Sequence, residues 1–514
     1  MSTQSSIGVI GAGPGGLMAA LLLASRGHSV TIYEKSKRIG GRCAELVRGD
    51  YSWDLGPTFL IYKEILENCF KQASLKVEDY LDIRSLDPMY KLFFADSDLD
   101  VYFNKKALSH ELEKKFPGAA AEFKNFMIKE KKRFKALKPC LERDFSSLSD
   151  YFSLNLIKAL PHLGLGSTVM KRLRSSFSSD ERALSFGFQA KYLGMSAWDC
   201  PSMFSILPYL EHEYGVHHVM GGLNKIMEAL AKASKKFGAK IHLNTAVKEV
   251  LTEKGAATGV LLENGKVEKF DDLVLNADFA YSMTHLFKQQ DLRKYKEKKL
   301  EKMDYSCSTF MLYLGLKRSY QLPFHSVVFA KDYARNVEEV FKKGLLSKDF
   351  SFYIRTPNQL DSSSAPSGHT AMYVLVPVPN LKIGSVDWKK QKMNYRDLVI
   401  KTIQKRMKIE VSDAIEVEEV VTPEDWQTKH NVHHGATFNL SHNWRQLAMF
   451  RPKNSFCDVK NVFLVGGGTH PGSGLPTIFE SSRIAARLIE EKHGRFFESY
   501  ETEKFSQNYK PVSF

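Results

Sequence analysis

The stretch Ile7-Gly8-Val9-Ile10-Gly11-Ala12-Gly13-Pro14-Gly15-Gly16, with a glutamate at position 34, decides how the rest of the chain is read. Ile7, Val9 and Ile10 lead as a strand into a glycine turn, residues 17–25 are rich in Ala and Leu as a helix requires, and Val30 to Tyr33 read as the next strand. The turn satisfies G-x-G-x-x-G between strand and helix, and Glu34 follows Gly11 by 23 residues. Each position has a physical task. Gly11 permits the tight turn, Gly13 lets backbone approach a pyrophosphate at a helix N-terminus, and Gly16 lets the helix pack on the strand. Glu34 can accept hydrogen bonds from a ribose hydroxyl. This is half a Rossmann unit, so the fold class is α/β and a dinucleotide is the expected ligand. NAD and FAD share the fingerprint, and it does not choose between them.

Three further turns bear on that choice. Arg38-Ile39-Gly40-Gly41-Arg42 follows the second strand at once. Gly40 and Gly41 bring backbone close and Arg42 offers a planar fork suited to phosphate, although a Gly-Gly turn with solvated arginines is the structural alternative. Asp54-Leu55-Gly56-Pro57-Thr58 is a stiff turn that can lie against a planar ring, or an ordinary surface turn. Near the other end, Val462 to Val465 reads as a strand that runs into Gly466-Gly467-Gly468-Thr469-His470-Pro471-Gly472-Ser473-Gly474-Leu475-Pro476-Thr477, then a helix from Thr477 to about Glu491. Pro476 suits a first helical turn. The partial positive charge of a helix start would favour the negative charge that develops on a flavin as it accepts hydride, whereas a flexible glycine-rich connector would do nothing.

Length and composition set the frame around these turns. At 514 residues the chain exceeds one ordinary domain of roughly 100 to 200 residues, and 43% hydrophobic content excludes disorder. Lys and Arg outnumber Asp and Glu by 73 to 58, a net charge of +15, so anionic surfaces attract it. No recognition-helix, zinc-finger or RNA-binding signature accompanies that charge, so no nucleic-acid partner is expected. The cysteines Cys43, Cys69, Cys140, Cys200, Cys307 and Cys457 lie far apart without metal spacing, which fits a reducing compartment and no metal site. Met1 to Ser6 runs straight into the first strand, leaving no room for a secretory leader, and no apolar run of about 18 residues could span a bilayer. The expectation is a protein that is soluble or peripheral on the cytoplasmic face of a membrane.

From about 101 to 185 the pattern is helical and basic; a helix is expected over 223–238, strands at 240–243, 247–251, 256–262 and 272–275, and a second sheet from the apolar runs 307–316 and 371–378. The order predicts a nucleotide-binding domain assembled from 1–85, 223–285 and 456–514, a helical substrate and membrane-facing region over 86–222, and an inserted mixed-sheet substrate domain over 286–455.

Taken together, these segments resemble the bacterial carotenoid desaturases, the phytoene and diapophytoene desaturases, within the amine-oxidase-like FAD flavoproteins. The resemblance covers nearly the whole chain. Beyond the turns already quoted, its carriers are Met203-Phe204-Ser205-Ile206 leading to Glu211-His212-Glu213-Tyr214-Gly215, then Gly221-Gly222, Asn276-Ala277-Asp278, Ala365-Pro366-Ser367-Gly368, Val376-Pro377-Val378-Pro379 and Thr469-His470-Pro471-Gly472. It implies non-covalent FAD, with Val247 at the adenine and Gly467, Gly468, Pro476, Thr477 and Ile478 along the isoalloxazine. Asn276, Asp278, Gly56, Pro57, Thr58 and Thr469 join Gly11, Gly13, Gly16, Glu34, Gly40, Gly41 and Arg42 as expected cofactor contacts. It also implies removal of two hydrogens from adjacent carbons of a long polyisoprenoid, one as hydride and one as a proton, with oxygen or a membrane quinone as the terminal acceptor.

Such a substrate has no polar handle, so an aromatic tunnel is expected, and 34 Phe with 21 Tyr supply material for one or for plain core. For the base, Glu211 and Glu213 beside Tyr214 are candidates, because a carboxylate in an apolar pocket has its pKa raised; solvated surface charges are the alternative. Asp425 is another candidate, although Thr422-Pro423-Glu424-Asp425 reads equally as a capping box. His434 could sit near the flavin, and Arg355 could orient a loop or stabilise charge. For membrane access, Phe123, Phe126, Met127, Phe134 and Leu137 recur at helical spacing among Lys124, Lys129, Lys131, Lys132, Arg133, Lys135 and Lys138, as in an interfacial helix or a core-packed helix with a solvated face. Residues 154–173 add a leucine-rich stretch broken by Pro161, Gly164 and Gly166, which reads as a dipping loop. Rival activities on the same fold are polyene isomerisation, retinol saturation, methyl oxidation and a non-catalytic prenyl-binding escort. The sequence leaves open the substrate length, the number of desaturation steps and whether copies form a homo-oligomer.

Overall fold

The computed structural model describes residues 4–143 and 154–497. Met1 to Thr3 of the leader reading, residues 144–153 of the basic helical stretch and the part of the last nucleotide-binding segment beyond 497 lie outside the described residues. Ser6–Ile10 forms the centre of a five-stranded parallel sheet ordered Lys240–His242, Ser29–Tyr33, Ser6–Ile10, Asp272–Leu275, Val462–Leu464. Three stretches separated by hundreds of residues therefore share one hydrogen-bonded sheet. Asp272–Leu275 and Val462–Leu464 are buried throughout, as parallel strands covered on both faces must be. The helix Pro14–Ala24 packs against both Asn224–Lys236 and Leu475–Lys492, and its residues from Gly15 onward are all buried, which explains its unbroken Ala and Leu composition. The last helix begins at Leu475, ahead of the expected Thr477, with Pro476 inside its first turn.

The second sheet has seven strands, ordered Ile415–Val421, Ser308–Leu316, Thr370–Val378, Phe352–Arg355, His325–Val328, Tyr90–Phe93 and Asp98–Val101. Its pairs are antiparallel except for His325–Val328 against Tyr90–Phe93, so the sheet is mixed. Pro377 is tolerated in this interior strand because Phe352–Arg355 pairs only as far as Leu375. Between the sheets, the hairpin Glu45–Arg48 with Tyr51–Asp54 carries the chain into the Asp54-to-Thr58 turn.

The basic stretch takes the second of its two readings, the core-packed helix. Phe123, Phe126, Met127, Phe134 and Leu137 of the helix Ala119–Leu141 are all buried in the aromatic core, so this stripe packs inward and has no apolar face free for lipid. Arg133, counted with the basic face, also turns inward: it is 5% exposed and donates to the carbonyl of Ser202 at 2.8 Å. The adjoining stretch is a helix, Leu154–Leu163, rather than a loop, and it behaves oppositely. Leu154, Ile157 and Leu160 are exposed, as is Leu165 just beyond it. Among the described residues, no helix is long and apolar enough to cross a membrane.

Candidate active site

Three turns of backbone meet at one end of a cavity of about 970 Å³. In the first, Gly11 has φ +96°, a left-handed conformation that glycine reaches without strain, and its N–H donates to the carbonyl of Tyr33 at 2.8 Å. Gly13 caps the helix Pro14–Ala24 without any side-chain cap, so the first N–H groups of that helix keep their donor capacity beside the cavity. A Cβ on Gly16 would stand 2.2 Å from the Gly11 carbonyl oxygen; Gly16 does not line the cavity but lets helix and turn close up. Glu34, buried at the end of the second strand, accepts from the N–H of Ala12 at 2.8 Å and of Ser36 at 2.9 Å, and lines the cavity.

The second turn is fastened to the first, because the N–H of Gly40 donates to Ala12 at 2.8 Å. Gly41 and Arg42 line the cavity, and the Arg42 guanidinium donates to the carbonyl of Thr437 at 2.7 Å. Val247, Asn276 and Asp278 complete this end; Asn276 donates to the Gly11 carbonyl at 3.2 Å and Asp278 accepts from Asn439 at 2.7 Å. Burial raises the Asp278 carboxyl above its ordinary range, against the pull of Arg42.

The third turn comes from the other end of the chain. Gly467, Gly468, Thr469, Pro476 and Ile478 line the same cavity, and the helix Leu475–Lys492 starts there at Gly474, again without a side-chain cap. Thr477 does not line it; its hydroxyl turns back within hydrogen-bond distance of the carbonyls of Gly472, Ser473 and Gly474 and donates among them. Gly56, Pro57 and Thr58 stand on the wall as well. They are clamped from the mixed sheet: the hydroxyl of Tyr373 donates to the Gly56 carbonyl at 2.7 Å and that of Tyr313 to the Leu55 carbonyl.

Beyond Thr58 the lining turns apolar and aromatic. The Phe59 ring lies 5.5 Å from Tyr192 on one side and 5.5 Å from Tyr353 on the other. Phe188, Val327, Met311 and Trp426 extend the surface. The short helix Phe188–Leu193 turns both Lys191 and Tyr192 to the cavity. Lys191 places its amine 4.7 Å from the centre of the Tyr333 ring, and among the described residues no carboxylate pairs with it. Burial pulls that amine down to about 7, so near neutral pH a substantial fraction of it carries a free lone pair.

Of the candidate bases, Glu211 comes nearest. It does not line the cavity but stands one side chain behind it, fully buried, accepting from Tyr192 at 2.7 Å, Gln189 at 2.8 Å and Tyr90 at 3.1 Å. Burial pushes its carboxyl up to about 7 against the pull of those three donors. Glu213 lies outside the cavity, paired with Lys105 at 2.9 Å. Asp425 closes a complete capping box with Thr422 and pairs with Lys429 at 2.8 Å; these partners outweigh its burial and bring its carboxyl down to about 2. His434 packs edge-on to Tyr305 at 5.2 Å, away from the lining. Arg355 is buried in an ion pair with Asp54 at 3.2 Å, whose other oxygen accepts from the Asn224 N–H at 2.9 Å, so it braces the strand leading into the Gly56 turn. Sequence reasoning missed Phe59, Lys191, Tyr192 and Tyr353, whose only local sign is aromatic enrichment shared with the core.

Residues 14–490 match the family of flavin containing amine oxidoreductases. The chain belongs to that family. Within it the chain is 46% identical over 494 residues, 96% of either chain, to a 4,4'-diapophytoene desaturase (4,4'-diapolycopene-forming) of Methylomonas sp. It is 35% identical over 497 residues, 96% of this chain and 94% of the relative, to a zeta-carotene-forming phytoene desaturase of Myxococcus xanthus. It thus falls among the carotenoid desaturases of this flavin family. Among solved structures, a putrescine oxidase bound to putrescine superposes with a TM-score of 0.63 at 13% identity, covering 96% of this chain and all of that one; it shares the fold. A flavin oxidoreductase of this family needs a cavity able to take its cofactor, and the residues where the three turns meet bear on that need. The residues fit a flavin: two uncapped helix starts supply N–H donors, glycines leave room for close backbone approach, and the carboxylate of Glu34 and the guanidinium of Arg42 belong to residues that line the same cavity.

Proposed function

We propose that the chain is an FAD-dependent desaturase of a long polyisoprenoid such as diapophytoene or phytoene, acting at a membrane surface in carotenoid biosynthesis. One observation carries the proposal: glycine turns more than 400 residues apart in sequence open on a single cavity whose other end is aromatic and apolar. Gly11, Gly13, Gly41 and Arg42 would hold the diphosphate, Glu34 a ribose, Val247 the adenine, and Gly56 to Thr58 with Gly467, Gly468, Pro476 and Ile478 the isoalloxazine. No cysteine stands between Gly466 and Ile478, which supports non-covalent attachment.

Bound there, FAD supplies hydride acceptance. The chain's own residues do the rest. The apolar end binds the polyene by burial, worth roughly 25 cal/mol for each Å² removed from water. Phe59, Tyr192 and Tyr353 fix its path. Lys191 receives the proton lost from the neighbouring carbon: it lines the cavity, burial leaves a substantial fraction of its amine unprotonated near neutral pH, and the Tyr333 ring stabilises the ammonium that forms, an effect of ~0.5–2 kcal/mol. Glu211 holds Tyr192 in place by its hydrogen bond. Reoxidation falls to dioxygen or a membrane quinone, and turnover with quinone in the absence of air separates the two.

The exposed Leu154, Ile157, Leu160 and Leu165 form the lipid-facing surface. The helix beside them carries exposed Lys124, Lys129, Lys132 and Lys135, which complement anionic headgroups. Incubation in liposomes with thirty-carbon and forty-carbon polyenes, followed by product mass, tests the whole reading. Loss of two hydrogens per step supports desaturation; an unchanged hydrogen count with altered absorption makes the chain an isomerase instead.

A further inference from the structure

Arg451 is completely buried, yet among the described residues it has no counter-ion. Its guanidinium donates to five carbonyl oxygens: Nε to Thr469 at 2.9 Å, Nη2 to Gly467 at 2.6 Å and to Leu440 at 3.3 Å, Nη1 to Ser441 and to Gln446 at 3.3 Å each. Among the described residues no carboxylate pairs with it. Carbonyls satisfy its hydrogens but bring no net charge, and a buried cation left unneutralised is costly. Its titratable neighbours do not offset it. Tyr295 is held as the neutral phenol by burial, and His442 and His470 are held neutral by burial and by the guanidinium itself. Burial draws Arg451 down to about 9, which leaves it protonated at neutral pH.

The position of this charge suggests why it is kept. Two of its five acceptors, Gly467 and Thr469, belong to the turn that lines the cavity, and the helix beginning at Leu475 presents its uncapped positive end on the same wall. Both features put positive potential at the place assigned to the redox ring, and no carboxylate among the described residues pairs with the guanidinium. Resting on the reading of this cavity as a flavin site, we propose that Arg451 is a positioning residue: it holds the Gly467-to-Thr469 turn and its charge makes the bound flavin easier to reduce, the reduced ring being the counter-ion that the protein lacks.

The test is the two-electron potential of the purified holoenzyme and of variants, measured by reduction against a reference dye. The wild-type chain is expected to hold its flavin at a potential above that of free FAD. Arg451→Gln, which keeps hydrogen bonding but removes charge, is expected to shift the oxidised-to-reduced ratio about tenfold toward oxidised, about 30 mV for a two-electron couple. Arg451→Lys, which keeps the charge, is expected to stay near wild type. Loss of carbonyl hydrogen bonds alone would lower melting temperature in both variants without separating their potentials. If Arg451→Gln does not fold, the lysine variant and the wild type still decide: a lysine variant that retains flavin but falls to the potential of free FAD overturns the proposal. A yellow wild-type protein at or below the potential of free FAD overturns it as well. A wild-type chain that retains no flavin even after FAD is added overturns the reading of the cavity itself.

Discussion

The two ends of the cavity are built from different materials. Where the glycine turns meet, the wall is main chain: turns around Gly13, Gly41 and Gly467, with two helix starts behind them. At the far end it is side chains: Phe59 from a turn, Lys191 and Tyr192 from a short helix, Tyr353 and Met311 from separate strands of the mixed sheet. A wall of main chain demands residues without side chains, and so each of its positions is nearly irreplaceable. A wall of side chains spreads its task, so its individual members are replaceable unless they move a proton.

That contrast orders the expected effects of substitution. The largest falls on the main-chain wall: Gly13→Val puts a Cβ 2.7 Å from the Asn276 amide and bulk where backbone must approach the ligand. The variant is expected to purify without flavin absorbance, and a yellow preparation would remove the pyrophosphate assignment. Next comes the one member of the aromatic wall given a proton to carry. Lys191→Met keeps size and apolarity, so flavin content should be unchanged while turnover falls ~10²-fold or more. An amine must be neutral to accept a proton, and this one titrates at about 7, so wild-type activity rises with pH through that region and the variant's does not. If Glu211→Gln abolishes that rise and Lys191→Met leaves it, the proton goes to Glu211 through Tyr192 instead.

A smaller effect is expected at the surface. Replacing Leu154, Ile157 and Leu160 together by Ser should weaken flotation with anionic vesicles about tenfold or more, with melting temperature preserved, since these side chains are exposed. Equal flotation of variant and wild type would place the lipid-facing surface elsewhere. The smallest effect belongs to a residue outside both walls: Asp425→Ala breaks the capping box, costing ~1 kcal/mol in thermal unfolding, with turnover unaltered. A large loss of turnover would mean that the helix Pro423–His430 does more than support Trp426, which lines the cavity.

The basic stretch and the leucine-rich stretch after it show where sequence patterns run out. Residues 123–138 and 154–165 both carry apolar residues at helical spacing, yet the first buries its stripe and the second leaves Leu154, Ile157, Leu160 and Leu165 exposed. Amphipathic spacing says that one face seeks an apolar neighbour; it does not say whether that neighbour is protein or lipid. Glu211 and Glu213 give the same lesson at closer range. They lie two residues apart on one helix, where one carboxylate is sealed among Tyr90, Gln189 and Tyr192 and the other meets Lys105 near the surface.

What the chain's letters determined on their own was the α/β class, the glycine turns with Glu34 and Arg42, and the strand-turn-helix at Val462 to Thr477, because local backbone conformations select glycine, proline and acid at set spacings. What only the tertiary structure decided was that these turns share one cavity, that Lys191 and Tyr192 line it, and that Arg451 lies buried behind it with no counter-ion among the described residues. Those facts depend on which distant segments are folded against each other, and burial, which shifts a lysine or a glutamate toward neutrality, is a property of that packing.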